Sequence, residues 1–221
     1  MKPKLWLSWS SGKDSAWALH ALRRQGGYEV AGLLTTINEA ASRVVMHAVR
    51  ETLLERQAAA AAVPLIKVHI PYPCPNEAYE AAMAQAMVQA KRDKIAAVAF
   101  GDLFLEDVRR YREEKLAPTG IAPVFPIWGL ETKGLAREMV SAGLRAHITC
   151  VDPKQLDAAF AGRTFDDTFL DDLPAGVDPC GEKGEFHSFA YAGPMFKAPI
   201  PVTPGEVVER DGFVFADLLP G

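Results

Sequence analysis

The feature that most constrains this chain is an alternation, sustained over its first 150 residues, of short apolar runs with longer segments of helical periodicity. Lys4 to Trp9 reads as a strand, and Asp14 to Arg24 then places Trp17, Ala18, Ala21 and Leu22 on one helical face. Gly26 and Gly27 stop that helix. Strands are predicted at Tyr28 to Ile37, Leu65 to Ile70, Ile95 to Phe100, Val124 to Ile127 and Arg145 to Val151. Helices fall between them at His47 to Ala62, Glu77 to Arg92, Asp107 to Leu116 and Thr132 to Ala142. Strands separated by helices of this length pair in parallel through right-handed crossovers, so the expectation is a doubly wound α/β sheet. After Asp152 the pattern changes to a short helical stretch around Asp166 to Asp172, then glycine, proline and aromatic residues, and a hairpin turning at Asp211-Gly212. That segment has few long apolar runs and is expected to pack on the first domain as a small lobe, giving domains 1–152 and 153–221.

Composition excludes several classes. With 221 residues, 49% hydrophobic and 24% charged, the chain is an ordinary folded protein rather than a disordered or fibrous one. A net charge of −4 gives no global basic field for nucleic acid. No apolar run reaches the length of a spanning helix and the start is too short for a signal-peptide core, so the expectation is a cytoplasmic protein without a membrane partner. The three cysteines, Cys74, Cys150 and Cys180, are an odd count with no C-x-x-C pair, which fits neither a zinc ribbon nor a disulfide framework.

The first strand runs into Ser10-Ser11-Gly12-Lys13-Asp14-Ser15 and then a helix, the place where a parallel sheet offers backbone N–H groups and a helix N-terminus to phosphate. It is not a Walker A loop, because Asp14 follows Lys13 and the earlier glycine position is Leu7, nor is it G-x-G-x-x-G. Hydroxyls at Ser10, Ser11 and Ser15 and the charge of Lys13 suit pyrophosphate oxygens. Asp14 beside phosphate implies either an Mg²⁺ ion between them or a helix-capping role. Adenine is expected near Thr35 to Ile37, at the end of the second strand. At the end of the fourth strand, Gly101 and Asp102 would project over the same cleft, with Glu106, Arg109, Arg112 and Glu113 following on a helix as candidate substrate contacts. In the C-terminal lobe, Gly181 and Gly184 allow close backbone approach to a ligand, and Glu182, Glu185 and His187 are suited to proton transfer or amine recognition.

The loop resembles the S-G-G-K-D-S loop of the PP-loop ATP pyrophosphatases, with Ser11 in place of the first glycine. Taken with the G-D-L-F-L-E-D-V-R run from Gly101, Phe125-Pro126-Ile127-Trp128-Gly129, Cys150-Val151-Asp152 and G-E-K-G-E-F-H-S-F from Gly181, the chain resembles the diphthine-ammonia ligase family over nearly its whole length. Lys183 stands where that family has asparagine, and the G-D-L-F-L-E-D wording with Met46-His47 is closer to its bacterial branch. The resemblance implies a Rossmann-like domain of the adenine nucleotide alpha hydrolase type with a C-terminal α+β lobe. It also implies cleavage of ATP to AMP and pyrophosphate, with Mg²⁺ as companion ion. Adenylation of a small-molecule or protein carboxylate and its amidation by ammonia or a small amine would follow, and archaeal and eukaryotic members amidate diphthine on elongation factor 2. Catalytic roles then fall to Lys13, Asp102, Glu182, Glu185 and His187, and an ion to Asp14. A tRNA sulfur transferase and a non-catalytic nucleotide-binding module are the competing readings, and a homodimer is left open.

Overall fold

The computed structural model describes residues 1–40, 42–44 and 46–221. Five strands, β1 (Lys4–Ser8), β2 (Glu29–Asn38), β4 (Leu65–Ile70), β5 (Ile95–Ala99) and β6 (Ala122–Val124), pair in parallel in the order β4-β2-β1-β5-β6. A two-residue strand, β3 (Arg43–Val44), adds antiparallel to the far end of β2. Period-two alternation splits the side chains of this sheet between two cores. Leu5, Leu7, Leu33 and Ile37 pack toward α1 (Lys13–Gln25), α2 (Glu51–Ala61) and α5 (Thr132–Ser141), while Trp6, Leu34, Val68 and Val98 pack toward α3 (Asn76–Arg92) and α4 (Glu106–Leu116). Helices on both faces make the sheet doubly wound, as expected. Its chain order reverses between β1 and β5, which puts the switch-point crevice between the loops that follow those two strands.

The strand predicted to close the parallel series does not belong to it. β7 (Arg145–Val151) is the centre of a second, entirely antiparallel sheet, pairing with β8 (Thr164–Phe165), β9 (Phe186–Ala192) and β11 (Phe213–Pro220). The expected boundary after residue 152 therefore falls just past a strand whose partners all lie in the C-terminal lobe. β10 (Val202–Arg210) completes that sheet as an edge strand, and the predicted hairpin turn joins it to β11 with Asp211 and Gly212 both left-handed (φ 54° and 80°). The predicted short acidic helix is α6 (Asp167–Asp172), capped by the Asp166 carboxylate accepting from the Phe169 N–H.

The second sheet docks on the loop after β1 through backbone bonds. Ala190 N–H donates to the Ser11 carbonyl, and the amide of buried Gln57 bridges Ser11 O, Ala190 O and the Trp9 indole N–H. A glutamine in that position satisfies polar groups of both lobes at once, so the lobes share one core.

Candidate active site

The Ser10–Ser15 loop leaves β1 and starts α1 at the switch point. Gly12 is the helix N-cap, with no side-chain cap bond, and the local hydroxyls knit the loop: Ser15 Oγ donates to Gly12 O (2.9 Å), Ser10 Oγ and Ser15 Oγ lie 3.3 Å apart, and Gly12 N–H donates to Ser10 Oγ (3.3 Å). Asp14 therefore does not cap the helix. Ser11 has a φ of 70°, the left-handed conformation that explains why glycine is the residue of the resembled motif, and its buried Oγ has no hydrogen-bond partner. Ser11→Gly should remove about 1–2 kcal/mol of backbone strain against about 0.5–1 kcal/mol of added chain entropy. Its melting temperature is expected to rise by about 1–4 °C. A melt at or below wild type would show that the serine conformation is not strained.

Gly101 closes the loop from the β5 side. A Cβ there would stand 3.0–3.1 Å from the Asp14 backbone and Ser15 N, so no other residue lets this strand end approach the helix start without displacing it. Beside the loop opens a cavity of about 420 Å³ lined by Ser10, Thr36, Tyr79, Met83, Phe100 and Arg112 among others. Its wall on β2 is Leu34 and Thr36. The expected adenine contacts Thr35 and Ile37 face the other way, 2% and 0% exposed, and Thr35 Oγ1 donates to Trp9 O. Of the Thr35 to Ile37 stretch, Thr36 is therefore the residue that faces the cavity.

The head of Lys13 reaches the C-terminal lobe: Nζ donates to both Asp14 oxygens (3.0 and 2.8 Å) and to the Cys180 carbonyl, and the residue is 1% exposed. Burial opposes the charge, but Asp14, Cys180 and Asp178 together more than offset it and hold the ammonium protonated beyond its ordinary range, while burial pushes the Asp14 carboxyl above its own ordinary range against the pull of Lys13. Burial likewise pushes the Cys180 thiol up, so it is no thiolate.

The segment 178–185 is a loop organised by its own carboxylates. Asp178 accepts from Glu182 N–H (2.9 Å), and Glu185, 2% exposed, accepts from Asp178 N–H and Lys183 N–H (3.0 Å each). Each Glu185 oxygen thus accepts from a backbone N–H of this loop and helps to hold its shape. Gly181 is left-handed (φ 67°), with the Phe186 carbonyl 2.8 Å from where a Cβ would be, while Gly184 (φ 86°) has open space around it. Glu182 reaches across to the β5 loop, accepting from Leu103 N–H (2.7 Å). Burial pushes its carboxyl up to about 7, against that hydrogen bond, with the Asp14 and Asp102 charges adding.

A carboxyl raised from 4.5 to about 7 on folding contributes stability that is intact below pH 4.5 and is lost as pH climbs through about 7. Glu182→Gln keeps an acceptor for Leu103 N–H and removes the titration. Relative to wild type, the variant should become progressively more stable between pH 5 and pH 8. Parallel melting curves across that range would show that Glu182 ionises freely.

Asp102 binds Arg112 through both oxygens (2.9 and 3.4 Å), and Arg112 lies over Phe100 at the cavity wall. Of the α4 candidates only Arg112 lines the cavity. Arg109 is packed 4.9 and 4.8 Å from the Phe125 and Trp128 ring centroids and pairs with Glu113, and Glu106 is exposed. Arg109 thereby takes up the Phe125–Trp128 stretch that the sequence singled out.

His187 faces a residue the sequence reading had placed in a helix. α2 begins only at Glu51, since left-handed Met46 and Ala48 (φ 64° and 54°) and a Val44 N–H to Val49 O bond fold the preceding chain into a turn. The turn sets His47 against Gly12, whose Cβ, were one present, would be 2.7 Å from the imidazole Cε1. His47 Nδ1 lies 2.8 Å from the Ser188 carbonyl, which makes it the N–H donor, and its ring is 4.8 Å from that of His187. Burial lowers His47 to about 3, aided by His187, and lowers His187 to about 4, aided by Lys13, so both are neutral imidazoles at neutral pH. The available signal for His47 was its place after the second strand, on the same sheet edge as the phosphate loop.

No group of three or more metal-ligating side chains forms among the described residues, and both Asp14 oxygens are engaged by Lys13.

A serine- and glycine-containing loop at the switch point of a parallel sheet, with a cavity alongside and a second lobe folded over it, is the architecture of a Rossmann-like α/β protein of the PP-loop class. The sequence matches two family models, diphthamide synthase N-terminal domain over residues 4–121 and diphthamide synthase C-terminal domain over residues 131–215, and the chain belongs to that family. Curated relatives include the human diphthine–ammonia ligase, 31% identical over 132 residues, covering 57% of this chain and 49% of that protein. The bovine diphthine–ammonia ligase is 30% identical over the same shares, and that of zebrafish (Danio rerio) is 31% identical over 51% of this chain and 46% of its own. The matched region spans about half the length of these relatives. No described helix is long and apolar enough to cross a membrane.

Proposed function

We propose that the protein is an ATP-dependent ligase that cleaves ATP to AMP and pyrophosphate to activate a carboxylate, and then transfers ammonia or a small amine to it. The observation that carries this reading is the juxtaposition at Gly12: phosphate loop below, the 420 Å³ cavity to one side, and the 178–188 segment of the second lobe above. In this reading the cavity takes the adenosine and the Ser10–Ser15 loop takes the phosphates with their Mg²⁺, which supplies charge neutralisation. An acceptor carboxylate oxygen bonds to the α phosphorus as the bond to pyrophosphate breaks, giving an acyl-adenylate. The amine nitrogen then bonds to the acyl carbon, AMP departs, and Glu182 or His187 takes the proton released. The name of these relatives, diphthine–ammonia ligase, supports ammonia as the donor and gives diphthine as their acceptor; the acceptor here is a small-molecule or protein carboxylate.

Incubation with ATP and separation of the nucleotides tests the reading. AMP with pyrophosphate is the expected outcome. ADP with phosphate would assign a different reaction, and tight ATP binding without turnover in the presence of candidate acceptors and ammonium would favour a binding module.

A further inference from the structure

The head of Lys13 occupies a cation site whose walls come mostly from the second lobe. The Asp14 carboxylate and the Cys180 carbonyl accept its N–H bonds, and the Phe165 and Phe186 rings present their faces with centroids 5.5 and 5.2 Å from Nζ. Both rings are buried, and so is the lysine. One negative charge, one carbonyl and two π faces around a tetrahedral N–H donor form a set that suits an ammonium group in particular. A sodium ion needs oxygen ligands on all sides, whereas ammonium uses directed N–H bonds and is attracted by ring faces. In this position the Lys13 charge is committed to the acceptor lobe and is unavailable to phosphates on its own loop.

We infer that this cage is the binding site for the ammonium substrate, occupied by Lys13 until the phosphates of ATP draw the lysine side chain out. The inference rests on the ligase reading above and adds a site and an order to it: nucleotide first, ammonium second. The exchange is balanced in charge, since one ammonium group leaves the cage as another enters. Ammonium must still lose a proton before its lone pair can attack the acyl carbon; in this order Glu182, held beside the same loop by Leu103 N–H, takes that first proton, and His187 takes the second, released as the amide forms and AMP departs.

Lys13→Met tests the site directly, because methionine keeps an apolar stem and removes only the cationic head. Its melting temperature is expected to rise by about 3–6 °C at ammonium chloride tenfold above the half-effect concentration, compared with sodium chloride at equal ionic strength. Wild type should show the ammonium-specific rise only with a non-hydrolysable ATP analogue present. A folded Lys13→Met without that rise, or a wild type that shows it equally without nucleotide, overturns the inference. If Lys13→Met gives no cooperative melt, the comparison moves to wild type and Phe186→Leu, each with the analogue. The rise should be at least halved in Phe186→Leu, and an equal rise in both, or none in either, overturns it. Because these shifts are read without turnover, an ammonium site with ADP as the nucleotide product would sink only the ligase reading. AMP formation with no ammonium shift would sink only the site.

Discussion

Lys13→Ala is expected to lower AMP formation by at least about 10²-fold, the usual loss when one charge-stabilising donor is removed from a transition state. The position also predicts a second effect. Among the described residues Lys13 is the one side-chain donor to the Asp14 carboxylate, and its Nζ also donates to the Cys180 carbonyl, so truncation leaves both without that donor. Breaking a fully buried pair costs about 3–5 kcal/mol, and since the Asp14 side chain keeps 26% of its exposure the expected loss is nearer 2 kcal/mol. Turnover measured well below the lowered melting temperature separates the two effects. Full AMP formation by a folded Lys13→Ala would remove the lysine from the chemistry and leave it a structural cation.

The parallel sheet was legible because each of its strands and helices carries its own periodicity and stop signal, as Gly26 does at the end of α1 with φ 68°. β7 was misplaced because its run Arg145 to Val151 is equally apolar in either sheet, and its partners lie as far away as Phe215. Which β2 residues face the cavity was hidden for a similar reason: alternation fixes that Thr35 and Thr36 face opposite sides, but the absolute side is set by packing against helices distant in sequence. The turn from β1 into α1 was readable at Ser10–Ser15, with Ser11 taking a left-handed φ of 70° where the resembled motif has glycine. The direction of Lys13 was not, because the groups that draw it aside, Phe165, Cys180 and Phe186, are more than 150 positions away. His47 was hidden in part by a local turn, closed by the Val44 N–H to Val49 O bond, that keeps it out of α2, and in part by the distant Ser188 carbonyl that orients its ring.

Glu185 separates a scaffold from a proton carrier most sharply. Glutamine at 185 has the same shape but offers one oxygen and one NH₂ where the carboxylate offered two oxygens, so either Asp178 N–H or Lys183 N–H must face another donor. Leaving a buried donor unpaired costs about 1–3 kcal/mol. In a chain of this length that lowers the melting temperature by about 2–4 °C per kcal/mol. The loop so loosened also carries the Cys180 carbonyl that holds Lys13 and the Glu182 carboxylate that binds Leu103, so product formation should fall along with stability. ATP affinity should change less than tenfold, about 1.4 kcal/mol, because the proposed nucleotide contacts lie on the Ser10–Ser15 loop and the cavity, neither of which Glu185 touches. A proton carrier would behave in the opposite way: Glu185→Gln would melt like wild type and lose turnover alone. Calorimetric melting and ATP titration of the same two proteins distinguish the cases, and an unchanged melt would return Glu185 to the chemistry.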